Sequence, residues 1–172
     1  MKVVFRKCTS DDLVALRKLA LETFIDNYRH LNKADNFEAY LKKACGETQL
    51  LRELENPESD YYFVINREKI IGYFKLNTGN AQTENHSPDA LEIERIYLLK
   101  AYQGKGLGRK MLNFTIDQAK ARNKNMIWLG VWKKNEAAIE FYKKCGMVKF
   151  GEHIFQLGED AQTDYLMKLE IQ

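Results

Sequence analysis

The apolar positions change period along the chain, and each change marks a new element. Val3 to Lys7 reads as a short strand. Leu13, Leu16, Ala20 and Phe24 then recur at steps of three and four, the spacing of one helix face. A helix is therefore predicted from the capping types Thr9, Ser10 and Asp11 to about Tyr28. Phe37, Tyr40, Leu41 and Ala44 predict a second helix, and Leu50, Leu51 and Leu54 a short third one that stops at Asn56-Pro57. Tyr61 to Asn66 and Lys69 to Asn77 read as strands joined by a hairpin turn at Asn66-Arg67-Glu68-Lys69. Thr78 to Asp89 is polar, holds Gly79, Asn80 and Pro88, and reads as a loop.

Leu91 to Leu99 is the next strand. From about Lys105 to about Arg122 a helix is predicted, with Leu107, Met111, Phe114 and Ile116 as its buried positions. Met126 to Trp132 is almost wholly apolar, as expected of a strand covered on both faces. Asn135 to Cys145 is a helix with Ala138, Phe141, Tyr142 and Cys145 on one stripe, and Met147 to Phe155 and Thr163 to Leu169 are closing strands. The order β-α-α-(α)-β-β-β-α-β-α-β-β has no repeat, low-complexity tract or linker, so residues 1–172 are expected to form a single α/β domain.

Composition changes this picture little. Apolar residues make up 45% and charged residues 30% of 172, ordinary for a globular chain with a real core. The net charge of +3 is too slight to argue for nucleic acid, and no helix-turn-helix pattern or basic recognition helix is found. No apolar run approaches membrane-spanning length, and the charged start Met1 to Lys7 does not read as a signal peptide. Cys8, Cys45 and Cys145 are odd in number and widely spaced, which fits a reducing cytoplasm and argues against disulfides or a zinc site. His30, His86 and His153 share no metal-ligand spacing.

Candidate chemistry centres on Gln103-Gly104-Lys105-Gly106-Leu107-Gly108, between a strand and a helix. Three glycines at alternate positions bare the backbone, so an anion can approach the N–H groups of Gln103 to Arg109 at a helix N-terminus. Lys105, Arg109 and Lys110 crowd the same turn. A Walker loop is excluded, since no Gly is followed by Lys and then Ser or Thr; a dinucleotide fingerprint needs G-x-G-x-x-G, not G-x-G-x-G. The segment reads as a pyrophosphate receptor.

The pattern Gln/Arg-x-x-Gly-x-Gly/Ala after a strand resembles the acetyl-CoA loop of the Gcn5-related N-acetyltransferases (GNAT). A second block, Leu129 to Trp132 followed by Asn135, Ala138, Phe141-Tyr142 and Gly146-Met147, is similar to that family's N-x-x-A-x-x-[FL]-Y-x-x-x-G-F signature. Met147 replaces the usual aromatic. The spacing and element order match across the whole chain. The runs Leu91 to Tyr97 and Ile127 to Trp132 with Glu136, the start Glu22-Thr23-Phe24 with Asn27, and Gln162-Thr163-Asp164 near the end are similar to bacterial PaiA-type polyamine acetyltransferases.

The resemblance implies a GNAT fold: a mostly antiparallel mixed sheet of six to seven strands, splayed at the cofactor site and flanked by helices. It implies acetyl-CoA as co-substrate and no metal. It assigns backbone contacts with the pantetheine arm to Ile96, Tyr97 and Leu98, and places the Asn135 side chain on that arm. Asn135 is equally suited to cap a helix, and Lys144, which could reach an outer phosphate, is equally suited to solvent. The chemistry also needs a neutral amine, and a free ammonium leaves only about one molecule in two thousand deprotonated at pH 7. Glu92 and Glu94, on one face of a strand by its period of two, are the candidate bases, Glu94 being slightly favoured as nearer the splay; the alternative is that both face solvent or pair with Arg95 or a lysine. The resemblance gives Tyr142 the role of protonating the departing thiolate; a core tyrosine would sit there equally well. No cysteine need be catalytic, and Cys145 reads as a small core residue.

The acceptor pocket of such a fold lies between the first two helices, the central strands and the last hairpin. Glu22, Asp26, Asp35, Glu38, Glu159, Asp160 and Asp164 are acids available to a cationic chain such as spermidine or spermine. The expectation is a cytoplasmic N-acetyltransferase acting on a small cationic amine, with monomer or homodimer left open. The alternatives are the same chemistry on a protein N-terminus, a lysine or another small amine, and a non-catalytic CoA-binding regulator.

Overall fold

The computed structural model describes residues 1–31, 33–157 and 159–171. Its strands are β1 (Val4–Lys7), β2 (Ser59–Asn66), β3 (Lys69–Asn77), β4 (Ala90–Leu98), β5 (Met126–Trp132), β6 (Val148–Leu157) and β7 (Asp160–Glu170). Its helices are α1 (Leu13–Tyr28), α2 (Ala34–Ala44), α3 (Glu47–Glu55), α4 (Leu107–Ala121) and α5 (Glu136–Lys144). The seven strands form one sheet in the order β1-β2-β3-β4-β5-β7-β6. Every pairing is antiparallel except β4 with β5. The fold is thus mixed α/β, as the pattern of periods predicts, with the mostly antiparallel sheet that the resemblance implies.

Each face of the sheet buries its own core. On one face Leu16, Ala20, Phe24, Phe37, Leu41 and Leu50 of α1–α3 pack on Tyr61, Phe63 and Tyr73. On the other, Leu107, Met111, Leu112 and Ala119 of α4 and Ile139 and Tyr142 of α5 pack on Val64, Phe74, Leu76, Leu91 and Ile127. Of the positions expected to be buried on α4, Phe114 and Ile116 are only partly so, while Leu112, Thr115 and Ala119 are buried. The β2–β3 turn holds Arg67 and Glu68 at φ 46° and 67°, the left-handed pair that a two-residue hairpin demands.

Two irregularities shape β4. Its ladder with β3 pairs Lys75 with Arg95 and Leu76 with Ile93, leaving Glu94 as an extra residue. This bulge switches the alternation of side chains. Leu91 and Ile93 lie in the α4–α5 core, and past the bulge that core takes Ile96 and Leu98 while Tyr97 joins the α1–α3 core. The second irregularity lies on the other edge. The parallel ladder with β5 holds only for Ala90, Leu91 and Glu92 against Met126, Ile127 and Trp128. Beyond these three pairs the two strands separate, although β4 runs on to Leu98 and β5 to Trp132.

Gly72 sets how closely β3 meets the separating part of β4. A Cβ there would lie 2.5 Å from the Tyr97 carbonyl oxygen and 2.6 Å from Leu98 Cδ2. Gly72→Ala is expected to lower stability by about 1–3 kcal/mol through overpacking, read from the denaturant midpoint; an unchanged midpoint would show that β4 gives way freely.

Candidate active site

The separation of β4 from β5 opens a cleft of about 820 Å³ that runs from the glycine loop to the last hairpin. Each arm is held from outside, β4 by β3 and β5 by β7 along its whole length. The inward main-chain edges therefore lack a strand partner, while Ile96, Tyr97 and Leu98 line one wall and Leu129 to Trp132 the other. Buried main-chain groups need partners, so the opening is built for a polar, extended group.

At one end, Gly104 and Gly106 adopt φ of 70° and 74°, and a Cβ on either would meet nothing within 4 Å. Gly106 caps α4 with no side-chain hydrogen bond, so the helix begins at Leu107 and not at Lys105. The N–H groups of Gly104, Lys105 and Gly106 have no backbone acceptor among the described residues. Left-handed glycines before a helix start turn successive N–H groups into one concavity, an anion nest. Gln103 anchors it, its Nε2 donating to the Leu98 carbonyl at 3.0 Å. Gly108 lets α4 meet α5, since a Cβ would lie 3.0 Å from Phe141 Cζ. The nest, the open edges and the cleft fit the diphosphate and arm of coenzyme A.

The basic residues expected to crowd this turn spread outwards. Arg109 donates to the Lys144 carbonyl at 2.9 Å, Lys110 to the Met1 carbonyl at 2.7 Å, and Lys105 lies over the Tyr102 ring. None of Lys105, Arg109 and Lys144 lines the cleft. Asn135 caps α5, its Oδ1 accepting from the Ala138 N–H at 3.2 Å, and its side chain also bonds Tyr28, whose hydroxyl bonds Tyr97 as well.

Tyr142 is 6% exposed and lines the cleft. Its hydroxyl has no hydrogen-bond partner among the described residues, and no fully buried side-chain polar atom there lacks one, so the hydroxyl reaches the open cleft. Burial holds its pKa above the ordinary tyrosine value, so it stays a proton donor.

Glu92 and Glu94 do share a face, since Asn77 Nδ2 donates to both, at 3.1 and 2.6 Å. Their surroundings differ. Glu94 pairs with Lys75 at 2.6 Å and Arg95 at 3.3 Å. Glu92 is 2% exposed and has no Lys or Arg beside it among the described residues. It accepts the Thr83 N–H at 2.8 Å and the Thr83 hydroxyl. Burial pushes its carboxyl above the usual range, against the pull of the Thr83 bonds.

At the far end Asp164 faces His153 Nε2 at 3.5 Å, and His153 Nδ1 contacts Glu84. Burial raises the Asp164 carboxyl too. Phe24, Tyr28, Tyr40, Tyr97 and Phe155 wall this end, with ring centroids of Phe24–Tyr40 and Tyr40–Phe155 at 5.0 and 5.5 Å. Of the acids considered for a cationic chain, Asp164 alone lines the cleft. Thr83, Asn77, His153 and Tyr28 were not singled out from the sequence. Their signal is weak, since each acts through a partner far along the chain; Gly130, which interrupts the apolar run of β5, is the one local hint that a cleft passes there.

Among the described residues no group of three or more His, Cys, Asp or Glu side chains could hold a metal ion, and no helix is long and apolar enough to cross a membrane. Residues 13–147 match the family model described as Acetyltransferase (GNAT) family. The chain is 40% identical over 157 residues to an uncharacterized N-acetyltransferase in pepI 3′ region of Lactobacillus delbrueckii subsp. lactis, covering 91% of each chain. Its fold is similar to PaiA N-acetyltransferase of Thermoplasma acidophilum, solved with coenzyme A, at a TM-score of 0.76, 20% identity and 99% of both chains. It is also similar to a variant of the spermidine N-acetyltransferase SpeG of Vibrio cholerae, at 0.71, 20% identity, and 98% and 93% of the two chains.

A raised carboxyl means that the folded state binds the Glu92 proton more tightly than the unfolded chain does. Its favourable contribution is whole below the unfolded value and is lost as pH rises through the folded one. Glu92→Gln cannot ionise, so the stability of wild type relative to this variant should fall as pH rises above the ordinary carboxylate value and through the raised one, measured by urea midpoints; a pH-independent difference would contradict the burial of a charge there.

Proposed function

The chain belongs to the acetyltransferase (GNAT) family and is an acetyl-CoA-dependent acetyltransferase, and we propose that its acceptor is the primary amine of a small polycation, of the spermidine class. Acetyl-CoA, when bound, supplies an acetyl thioester. N–H groups from Gly104 to Arg109 would grip its diphosphate, the Gln103 N–H being taken by the Lys100 carbonyl. The main chain of Ile96, Tyr97 and Leu98 bonds the arm, and Asn135, fixed as the cap of α5, borders it. Lys105, Arg109 and Lys144 add positive charge at the rim.

Glu92 takes the proton from the acceptor ammonium, directly or through one water. A desolvated carboxylate without a cation is the better proton acceptor of the two glutamates, and Glu94, held by Lys75 and Arg95, instead keeps those cations away from the amine. Tyr142 gives a proton to the departing sulfur. Direct attack between two aligned substrates needs no enzyme nucleophile.

The support for a polycation is one observation: Glu92 and Asp164 are desolvated carboxyls on the cleft wall, and among the described residues neither has a lysine or arginine beside it and Asp164 meets only the His153 ring. Buried charges require partners, and an elongated cation supplies them from the substrate. The aromatic wall adds cation–π contacts. The fold shared with a spermidine N-acetyltransferase is in keeping with this.

Free-thiol release with acetyl-CoA and a panel of spermine, spermidine, monoamines and peptides tests the acceptor. Turnover is expected with the polyamines, and turnover confined to peptides would move the assignment to protein N-termini. Tyr142→Phe should lower kcat by about 10²–10⁴ with acetyl-CoA affinity, by calorimetry, nearly unchanged; equal losses in both would remove the acid role.

A further inference from the structure

A second cavity, of about 330 Å³, lies between α3 and the β2–β3 pair, bordered by Glu53, Asn56, Ser59 and Lys75. It shares two lining residues with the cleft, Thr83 and Glu94. Ala81 apart, its described lining is polar or charged. At roughly 30 Å³ per water it has room for on the order of ten molecules. Thr83 itself is exposed, while the Glu92 carboxylate it binds is buried.

Acetylation of an ammonium leaves a proton over. R–NH3⁺ and the thioester give R–NH–acetyl, a thiol and one H⁺: of the two protons nitrogen loses, one ends on sulfur and one must reach solvent. With both substrates in the cleft, a proton on Glu92 has no open way back. Of the groups bonded to that carboxylate, Asn77 and the Thr83 N–H cannot relay a proton. The Thr83 hydroxyl can.

We propose that Thr83 is the proton outlet of the enzyme, passing the surplus proton from Glu92 to water in the second cavity. Once Glu92 Oε1 is protonated the Thr83 hydroxyl turns to that water; the Glu92 proton then moves to Thr83 Oγ1 as the hydroxyl hands its own proton to the water, and the hydroxyl again donates to Glu92 as at the start. Glu92 becomes a carboxylate again. Of the charged groups lining the second cavity, Lys75 of β3 pairs with Glu53 of α3 and Glu94 of β4, and exposed Arg52 of α3 stands at its border. The relay rests on Glu92 as the proton acceptor.

Thr83→Val keeps the shape and the N–H bond but removes the relay; Thr83→Ser keeps the relay. Each is assayed beside wild type with the best acceptor of the amine panel and with its β,β-difluoro analogue, whose amine is largely neutral at the assay pH and brings no surplus proton. Thr83→Val is expected to lower kcat about tenfold more with the basic acceptor than with the analogue, with KM for acetyl-CoA unchanged, and Thr83→Ser to restore it. Equal losses with both acceptors, no loss with either, or failure of serine to restore turnover would overturn the outlet. Glu92→Gln separates the two ideas. If it slows the basic acceptor selectively while Thr83→Val does not, the outlet falls and the base stands; if it slows neither, both fall.

Discussion

The parting of β4 from β5 is the constraint on which the rest of the structure depends. A sheet that loses a ladder in its middle leaves two rows of main-chain donors and acceptors without partners, a cost a folded chain normally avoids. Here the cost is contained because each arm keeps its outer neighbour. β3 pairs with β4 from Gly72 to Asn77, and β7 pairs with all of β5. Extra residue Glu94 bends β4 at the point where its ladder with β5 has ended. The gap is then a permanent feature of a stable sheet, ready to accept an extended polar chain as an added strand.

The same bulge organises the charges. It puts Glu92, Glu94 and Tyr97 on the α1–α3 side, where a strictly alternating strand would have divided them. Two carboxylates that share one asparagine donor are thereby given opposite surroundings. Glu94 joins Lys75, Arg95 and Glu53 in a compensated ion network, while burial pushes the Glu53 carboxyl up but Arg95 and Lys75 outweigh it. Glu92 is left with neutral donors only. Environments that drive two nearby carboxyls apart divide the work of acid, base and counter-ion. The slight preference for Glu94 came from its nearness to the splay; pairing with Arg95 or a lysine was the alternative, and folding shows that it falls on Glu94 and spares Glu92.

What was legible in the sequence follows from locality. The strands and helices could be read because periodicity is a property of neighbouring residues, and the turn at Arg67-Glu68 and the nest at Gly104 and Gly106 because a glycine or a short polar pair marks backbone geometry at its own position. The splay and the bulge could not be read from the residues. Nothing in Glu92 to Leu98 records that a ladder ends after three pairs, and the alternation of Ile93, Arg95 and Tyr97 points to the wrong face. The Thr78 to Asp89 segment read as a plain connection, yet Gln82 bonds Trp128, Thr83 bonds Glu92 and Glu84 meets His153.

This difference in locality also separates the two ends of the cleft. The nest is made of main chain, so the requirement is for absent side chains, and three glycines in six residues announce it. The acceptor end is made of side chains from α1, α2, β4, β6, β7 and the loop before β4, brought together by folding alone. The nest and the splay are held by the outer pairings of the sheet and not by this wall. An enzyme built this way keeps its donor while its acceptor wall varies. On the proposed reading the acceptor is to be sought in the buried carboxyls and the aromatic wall, and not in the glycine loop.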